Sequence, residues 1–229
     1  MDSAWCVSMK PILRQFKQIL LTAMFVLYTA TSMSQQAKQK ALFVKHAIAK
    51  RASHQLIDFY RLTTDAGVVF AFPEGFKETR VLNNEDFSFD YAIEIPDDEF
   101  EVWFQVKSQK ENWANYEHFK NDPTKVIACP DSLYIQMGRA EAVALMGDEP
   151  YFTRNISADV LARYNAEAGK SYLLNLADRR ETKHYKYALL LTLQKNHIGT
   201  ILAVCFTNEK SPEFFKNVNR MCRYIKFKE

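Results

Sequence analysis

The chain has 229 residues, 48% of them hydrophobic and 25% charged, which is enough apolar material for one domain with a substantial core. Its formal net charge is only +3, so the broad basic footprint of a nucleic-acid-binding protein is excluded. With six glycines and no Gly-rich run, a phosphate-cradling nucleotide loop is excluded as well.

The first element is an uncharged apolar stretch from Ile19 to Ala30, preceded by Lys10, Arg14 and Lys17 and followed by Ser32, Met33 and Ser34. A membrane-crossing helix takes about 20 apolar residues. This stretch is shorter and suits the core of a signal peptide, with small side chains at the two positions a signal peptidase reads. The expectation is a signal peptide over residues 1–34, cleaved before Gln35. The mature chain is then exported, periplasmic or extracellular, and keeps no transmembrane segment. "MKPILRQFK" from Met9 also reads as a signal start, so translation from Met9 is an alternative to Met1. The removed segment carries Lys10, Arg14 and Lys17 against Asp2, which leaves the mature chain near neutrality. Its remaining cysteines are Cys129, Cys205 and Cys222, an odd number that makes no disulfide framework.

Residues 35–55 carry Lys38, Lys40, Lys45, Lys50 and Arg51 without an acid, among alanines that favour helix. They read as a basic helical arm leading into a single domain, residues 56–229. "FYRLTTDAGVVFAF" reads as a hairpin, with aromatic and β-branched residues around Gly67. In "FSFDYAIEI" strict alternation puts Phe87, Phe89, Tyr91, Ile93 and Ile95 on one side. After "PDDE", Phe100, Val102, Phe104 and Val106 share one face, with Glu101, Trp103, Gln105 and Lys107 on the other. "ENWANYEHFKNDPTK" reads as an irregular loop. Pro130 and Asp131 open a helix with Leu133, Met137, Ala140 and Ala144 on one stripe, and Ser157 caps a second helix ended by Gly169. "KSYLLNL", "YKYALLLTLQ" and "TILAVCFT" are strands, the last two apolar on both faces and therefore central. Ser211 caps a final helix with Pro212 in its first turn and Phe214, Phe215, Val218 and Met221 buried; "RYIKF" then returns to the same sheet as a short strand.

The expected class is α+β: a mainly antiparallel sheet of about six to seven strands covered by helices on both faces. Three features, "GVVFAFPEGFKE", the long antiparallel strands and the ending "TILAVCFT", "SPEFFKNVNRM", "YIKF", resemble the PsbP-like fold. This is the fold of lumenal extrinsic proteins of photosystem II and of a Ran-binding import factor. The ending is most similar to that of exported bacterial proteins of unassigned function. The resemblance covers roughly Phe59 to Phe227 and implies an α/β/α sandwich. No residues here match the photosystem-binding or Ran-binding positions, and a shared fold does not transfer function.

Chemistry is sparse. The five histidines, His46, His54, His118, His184 and His197, have no i, i+4 pair or Cys-x-x-Cys partner, so no metal site is expected. The acids between Glu85 and Glu101 lack calcium-loop spacing and read as a solvated hairpin tip. Cys129 precedes a helix start, where a thiol can be activated, and His118 lies upstream as a possible base; these are the catalytic candidates. The binding candidates are Trp103, Trp113 and Tyr116, because large aromatic side chains enrich contact surfaces. Trp103 is core instead if helices cover both faces. No cofactor is expected. The function expected is a non-catalytic binding or assembly module with an unknown protein or envelope partner. The alternative is a small exported enzyme using Cys129.

Overall fold

The computed structural model describes residues 53–96, 98–146 and 151–229. The stretch expected to be a signal peptide, residues 1–34, and nearly all of the expected basic arm fall outside the described residues. A compact unit runs from Ser53 to Glu229. It is α+β, and all strand pairs are antiparallel. β2 (Lys77–Thr79), β3 (Tyr91–Ile95), β4 (Phe100–Ser108), β8 (Gly199–Thr207), β7 (Tyr187–Lys195), β6 (Ala168–Asn175) and β5 (Phe152–Asn155) form a seven-stranded sheet in that spatial order. The central strand, β8, is buried throughout, as the two-faced apolar run "TILAVCFT" predicts.

Helices lie on both faces. On one, α3 (Leu133–Met146) sets Ala142, Leu145 and Met146 against Trp103, Leu190, Leu202, Val204 and Phe206. Gly138 is what lets it approach, since a Cβ there would sit 2.6 Å from the Thr192 methyl. The buried stripe is Gly138, Ala142, Leu145 and Met146, rotated about one position from the predicted one, and Ala140 is exposed. On the other face, α1 (His54–Asp65) stacks Phe59 on Tyr91 at 4.8 Å and tilts it over Phe104 at 5.8 Å. α5 (Pro212–Arg220) covers the same face: Phe214 meets Phe100 edge-on, and the Cys205 thiol, pushed up by burial, donates to Met221 Sδ at 3.2 Å in the following turn.

Several expectations are corrected. The hairpin read at "FYRLTTDAG" is helix α1, because Leu56, Phe59 and Thr63 are buried at helical spacing and Ser53 Oγ accepts from the Leu56 N–H as an N-cap. Gly67 does take a positive φ of 65°, as the residue that follows the helix into β1 (Val68–Phe70) rather than as a hairpin turn. The alternation through "FSFDYAIEI" breaks at Asp90. Its N–H donates to the Phe104 carbonyl although Tyr91 stands opposite Phe104, and its carboxylate accepts from the Val106 N–H at 2.8 Å. Phe87 and Phe89 therefore pack on the Trp103 face while Tyr91 packs on the Phe59 face. The second predicted helix is α4 (Ala158–Arg163); Gly169 lies inside β6, where a Cβ would meet the Thr192 carbonyl at 2.7 Å. Phe215 is 40% exposed, and Asn217 takes its place in the buried stripe. The last strand, β9 (Ile225–Phe227), pairs with β1 in a separate two-stranded sheet, not with the large one.

Glu141, on the sheet side of α3, has a buried Oε2 with no hydrogen-bond partner among the described residues. Burial pushes its carboxyl up to about 7, although the Lys107 ammonium pulls the other way. Between the unfolded value near 4.5 and about 7, the folded protein keeps a proton that the unfolded chain releases, so stability falls as pH rises through that window. Glu141→Gln should remove that loss. With partial solvent screening, the expected gain is about 1–2 kcal/mol at about pH 8 and near zero at about pH 4. Urea denaturation of both proteins at the two pH values checks this.

Candidate functional site

Two of the sequence-selected aromatics come together at one end of the sheet. The segment expected to be irregular contains α2 (Lys110–Phe119), a ten-residue helix with no buried residue and no side-chain N-cap hydrogen bond. An isolated helix of this length is marginal in water, so its attachment matters. Trp113 stacks on His197 with ring centroids 3.8 Å apart and planes 20° from parallel. Tyr116 meets Trp113 edge-on at 5.3 Å.

His197 sits at the β7–β8 turn with φ 63°, a left-handed conformation for a non-glycine residue. Its backbone N–H donates to Asp131 Oδ1 at 2.9 Å. The same oxygen accepts from Trp113 Nε1 at 3.1 Å and from Gln194 Nε2 at 3.3 Å. Asp131 lies in the 3₁₀ turn Pro130–Ser132 that leads into α3. One carboxylate oxygen thus ties together α2, the β7–β8 turn and the start of α3.

A directed chain of hydrogen bonds leads into that oxygen. Asn112 Nδ2 donates to Gln109 Oε1, Gln109 Nε2 to Thr200 Oγ1, and the Thr200 hydroxyl to Gln194 Oε1. Gln194 then donates to Asp131. Gln109, Thr200 and Gln194 are buried, and each amide uses its oxygen to accept and its nitrogen to donate. A network satisfied in one direction and ending on an anion is rigid. It holds the hairpin tip and the first turn of α2 in register. Gly199, beside it, has no room for a Cβ, which would lie 2.7 Å from the Ala66 carbonyl.

The sequence-selected residues divide accordingly. Trp103 is 0% exposed, with its ring 4.6 Å from Phe206 and its N–H on Glu101 Oε1 at 2.5 Å. It is core because α3 and Tyr185 pack on its side of the sheet, so it offers no contact surface. Trp113 is half-buried, with its ring face and its N–H both engaged inside the fold. Tyr116 is half-buried beside it, and His118 is exposed, edge-on to Phe119 at 4.4 Å. Cys129 is an exposed free thiol whose carbonyl accepts from Ser132; among the described residues no side-chain hydrogen bond joins it to His118. The structure thus brings Trp113 and Tyr116 together, separates Trp103 from them, and shows no Cys129–His118 pair. Asp131, read from the sequence as a helix opener, and His197, read as a histidine without a metal-site partner, organise the site.

Chemically, the arrangement is a clip. Asp131 Oδ1 takes three N–H donors, and Oδ2 lies 3.8 Å from His197 Nδ1, too far for a direct hydrogen bond. Trp113→Ala removes the stack and the indole donor while leaving the sheet core intact. The expected result is local: amide exchange across residues 110–119 accelerates about tenfold or more, and global stability falls by about 1–2 kcal/mol at most. Hydrogen-exchange mass spectrometry beside thermal melting separates the two effects.

Among the described residues, no group of three or more His, Cys, Asp or Glu side chains could hold a metal ion, and no helix is long and apolar enough to cross a membrane. No protein-family model matches this chain, and no curated protein matches it in sequence.

Proposed function

We propose that the chain is an exported, non-catalytic binding or assembly module of the periplasm or cell envelope, and that α2 is the surface it offers to a protein or envelope partner. The observation that carries this reading is the attachment of α2. A helix that buries none of its own residues contributes little to the core, yet the buried network from Gln109 to Asp131 and the Trp113–His197 stack hold it in one place. Its outward side carries Glu111, Ala114, Asn115 and His118, all exposed. Surface elements that add little to the core are where binding segments are drawn from. The non-catalytic part rests on the groups at the site being spent on one another, Asp131 and Trp113 above all.

Export is supported by the basic, apolar and small-residue succession before Gln35. The proposal includes a PsbP-like fold, supported by the antiparallel sheet with helices on both faces and by the β8–α5–β9 ending. Two measurements test it. The mature N-terminus is expected at Gln35, and an intact Met1 or Met9 in membrane fractions would contradict export. A pull-down from native envelope should retain a partner with the wild-type chain and lose it with Trp113→Ala; equal recovery by both would remove α2 from the proposal.

A further inference from the structure

A second feature stands apart from α2. A cleft of about 490 Å³ opens between the first turn of α1, the Arg80–Asn84 segment after β2, and the turn at Arg180 and Glu181. That volume falls in the range of small-molecule sites, roughly 300–1,000 Å³. Arg80 and Arg180 line it from opposite segments of the chain, and neither enters a salt bridge among the described residues. Val81 and Leu82, both half-buried, add an apolar shelf, and Gln55 adds an amide at the α1 end.

Both walls are held by the fold. On one side, the Asn83 side chain pairs with the N–H and the carbonyl of Phe89, and Asn84 Oδ1 accepts from the N–H groups of Asp86 and Phe87. On the other, Thr182 is fully buried with its hydroxyl on the Arg179 carbonyl, and Lys183 reaches both Thr79 Oγ1 at 2.9 Å and buried Glu101 at 2.7 Å. Lys183 and His184 both take positive φ in this turn. The two guanidiniums are thus carried on fixed supports, while the Lys183 charge is already matched by Glu101. Glu181 is the one acid of the lining, so the cleft has an excess of one positive charge.

We infer that this cleft binds a small organic anion, with a carboxylate or phosphate head between Arg80 and Arg180 and an apolar body on Val81 and Leu82. The guanidinium fork matches the planar geometry of a carboxylate and the tetrahedral face of a phosphate by paired N–H donors. The basic residues preceding α1, Lys38 to Arg51, carry the same sign of charge and do not complement it.

The test is titration calorimetry of the full mature chain with phenyl phosphate, benzoate and inorganic phosphate. Phenyl phosphate or benzoate should bind saturably at millimolar concentration or below, and the tighter of the two identifies the head group. Added salt should weaken the binding, because exposed guanidiniums are screened. Arg80→Ala and Arg180→Ala should each weaken it about tenfold or more, and Glu181→Gln should tighten it severalfold. Arg163→Ala, a surface change on α4, should leave it unaltered. All four side chains are at least partly exposed, so unchanged melting temperatures confirm that the variants fold. No saturable binding of either organic probe, or binding that survives both arginine substitutions, would overturn the inference. Inorganic phosphate binding as tightly as phenyl phosphate would overturn the role of the apolar shelf. None of these variants touches α2, so capture of a partner through α2 succeeds or fails separately.

Discussion

Phe227→Ala is expected to destabilise the domain by about 3–5 kcal/mol, the cost of emptying a buried aromatic site. Ile225 and Phe227 are both 0% exposed, and β9 holds them against β1 with Phe227 opposite Val68. The backbone here is fastened on several sides. The Phe227 N–H donates to the Tyr164 carbonyl, Asn165 Nδ2 donates to the Phe227 carbonyl, and the Lys228 N–H donates to the Gly67 carbonyl. These residues thus fasten β9 to the end of α4 and to the entry of β1. A chain ending at Cys222 loses both side chains, each contributing about 1.5–3 kcal/mol, and all of these hydrogen bonds. That approaches a domain's whole net stability of about 5–15 kcal/mol. Urea denaturation followed by far-UV circular dichroism should show no cooperative transition for the shortened chain. A transition near the wild-type midpoint would mean that the β1–β9 sheet is not part of the cooperative unit.

Lys183→Met is expected to cost about 2–4 kcal/mol, because it strands a carboxylate that the fold has buried. Glu101 is 1% exposed, and its oxygens accept from Lys183 Nζ at 2.7 Å, Trp103 Nε1 at 2.5 Å and Tyr185 OH at 3.5 Å. Burial and the nearby Glu101 charge both push the Tyr185 phenol up, so it stays a donor. The Lys183 side chain keeps 29% exposure, which sets the expected cost below that of a fully buried pair. Adding Glu101→Gln to Lys183→Met should recover much of the loss, since the buried charge goes with it. A double-mutant cycle in urea gives the coupling directly. Additive losses would show that the pair does not act as a unit.

What local chemistry dictates was readable in the chain. Ser211 and Pro212 mark the start of α5 by capping and by fixed φ, and the two-faced apolar runs of β7 and β8 require a central place in a covered sheet. What depends on distant partners was not. Trp113 was selectable by residue type, but its acceptor lies 18 residues away, and the donor from His197 reaches that same oxygen across 66. Glu101 read as part of an acidic solvated tip because its counterion stands 82 residues on, in a turn with no sequence signature. Aromatic and β-branched composition made α1 look extended, since its cap, Ser53, sat in a segment assigned to the arm. At Asp90, one side chain taking a backbone N–H was enough to move two phenylalanines to the opposite face.

Whether α2 is a surface held out for a partner can be read by site-specific photocrosslinking in the intact envelope. A photoreactive residue at Asn115, exposed on the outer side of α2, is compared with one at Lys216, exposed on α5. One discrete crosslinked product is expected from position 115, disappearing when Trp113→Ala loosens the helix, and none from position 216. No product from position 115, or the same products from both positions, would contradict it.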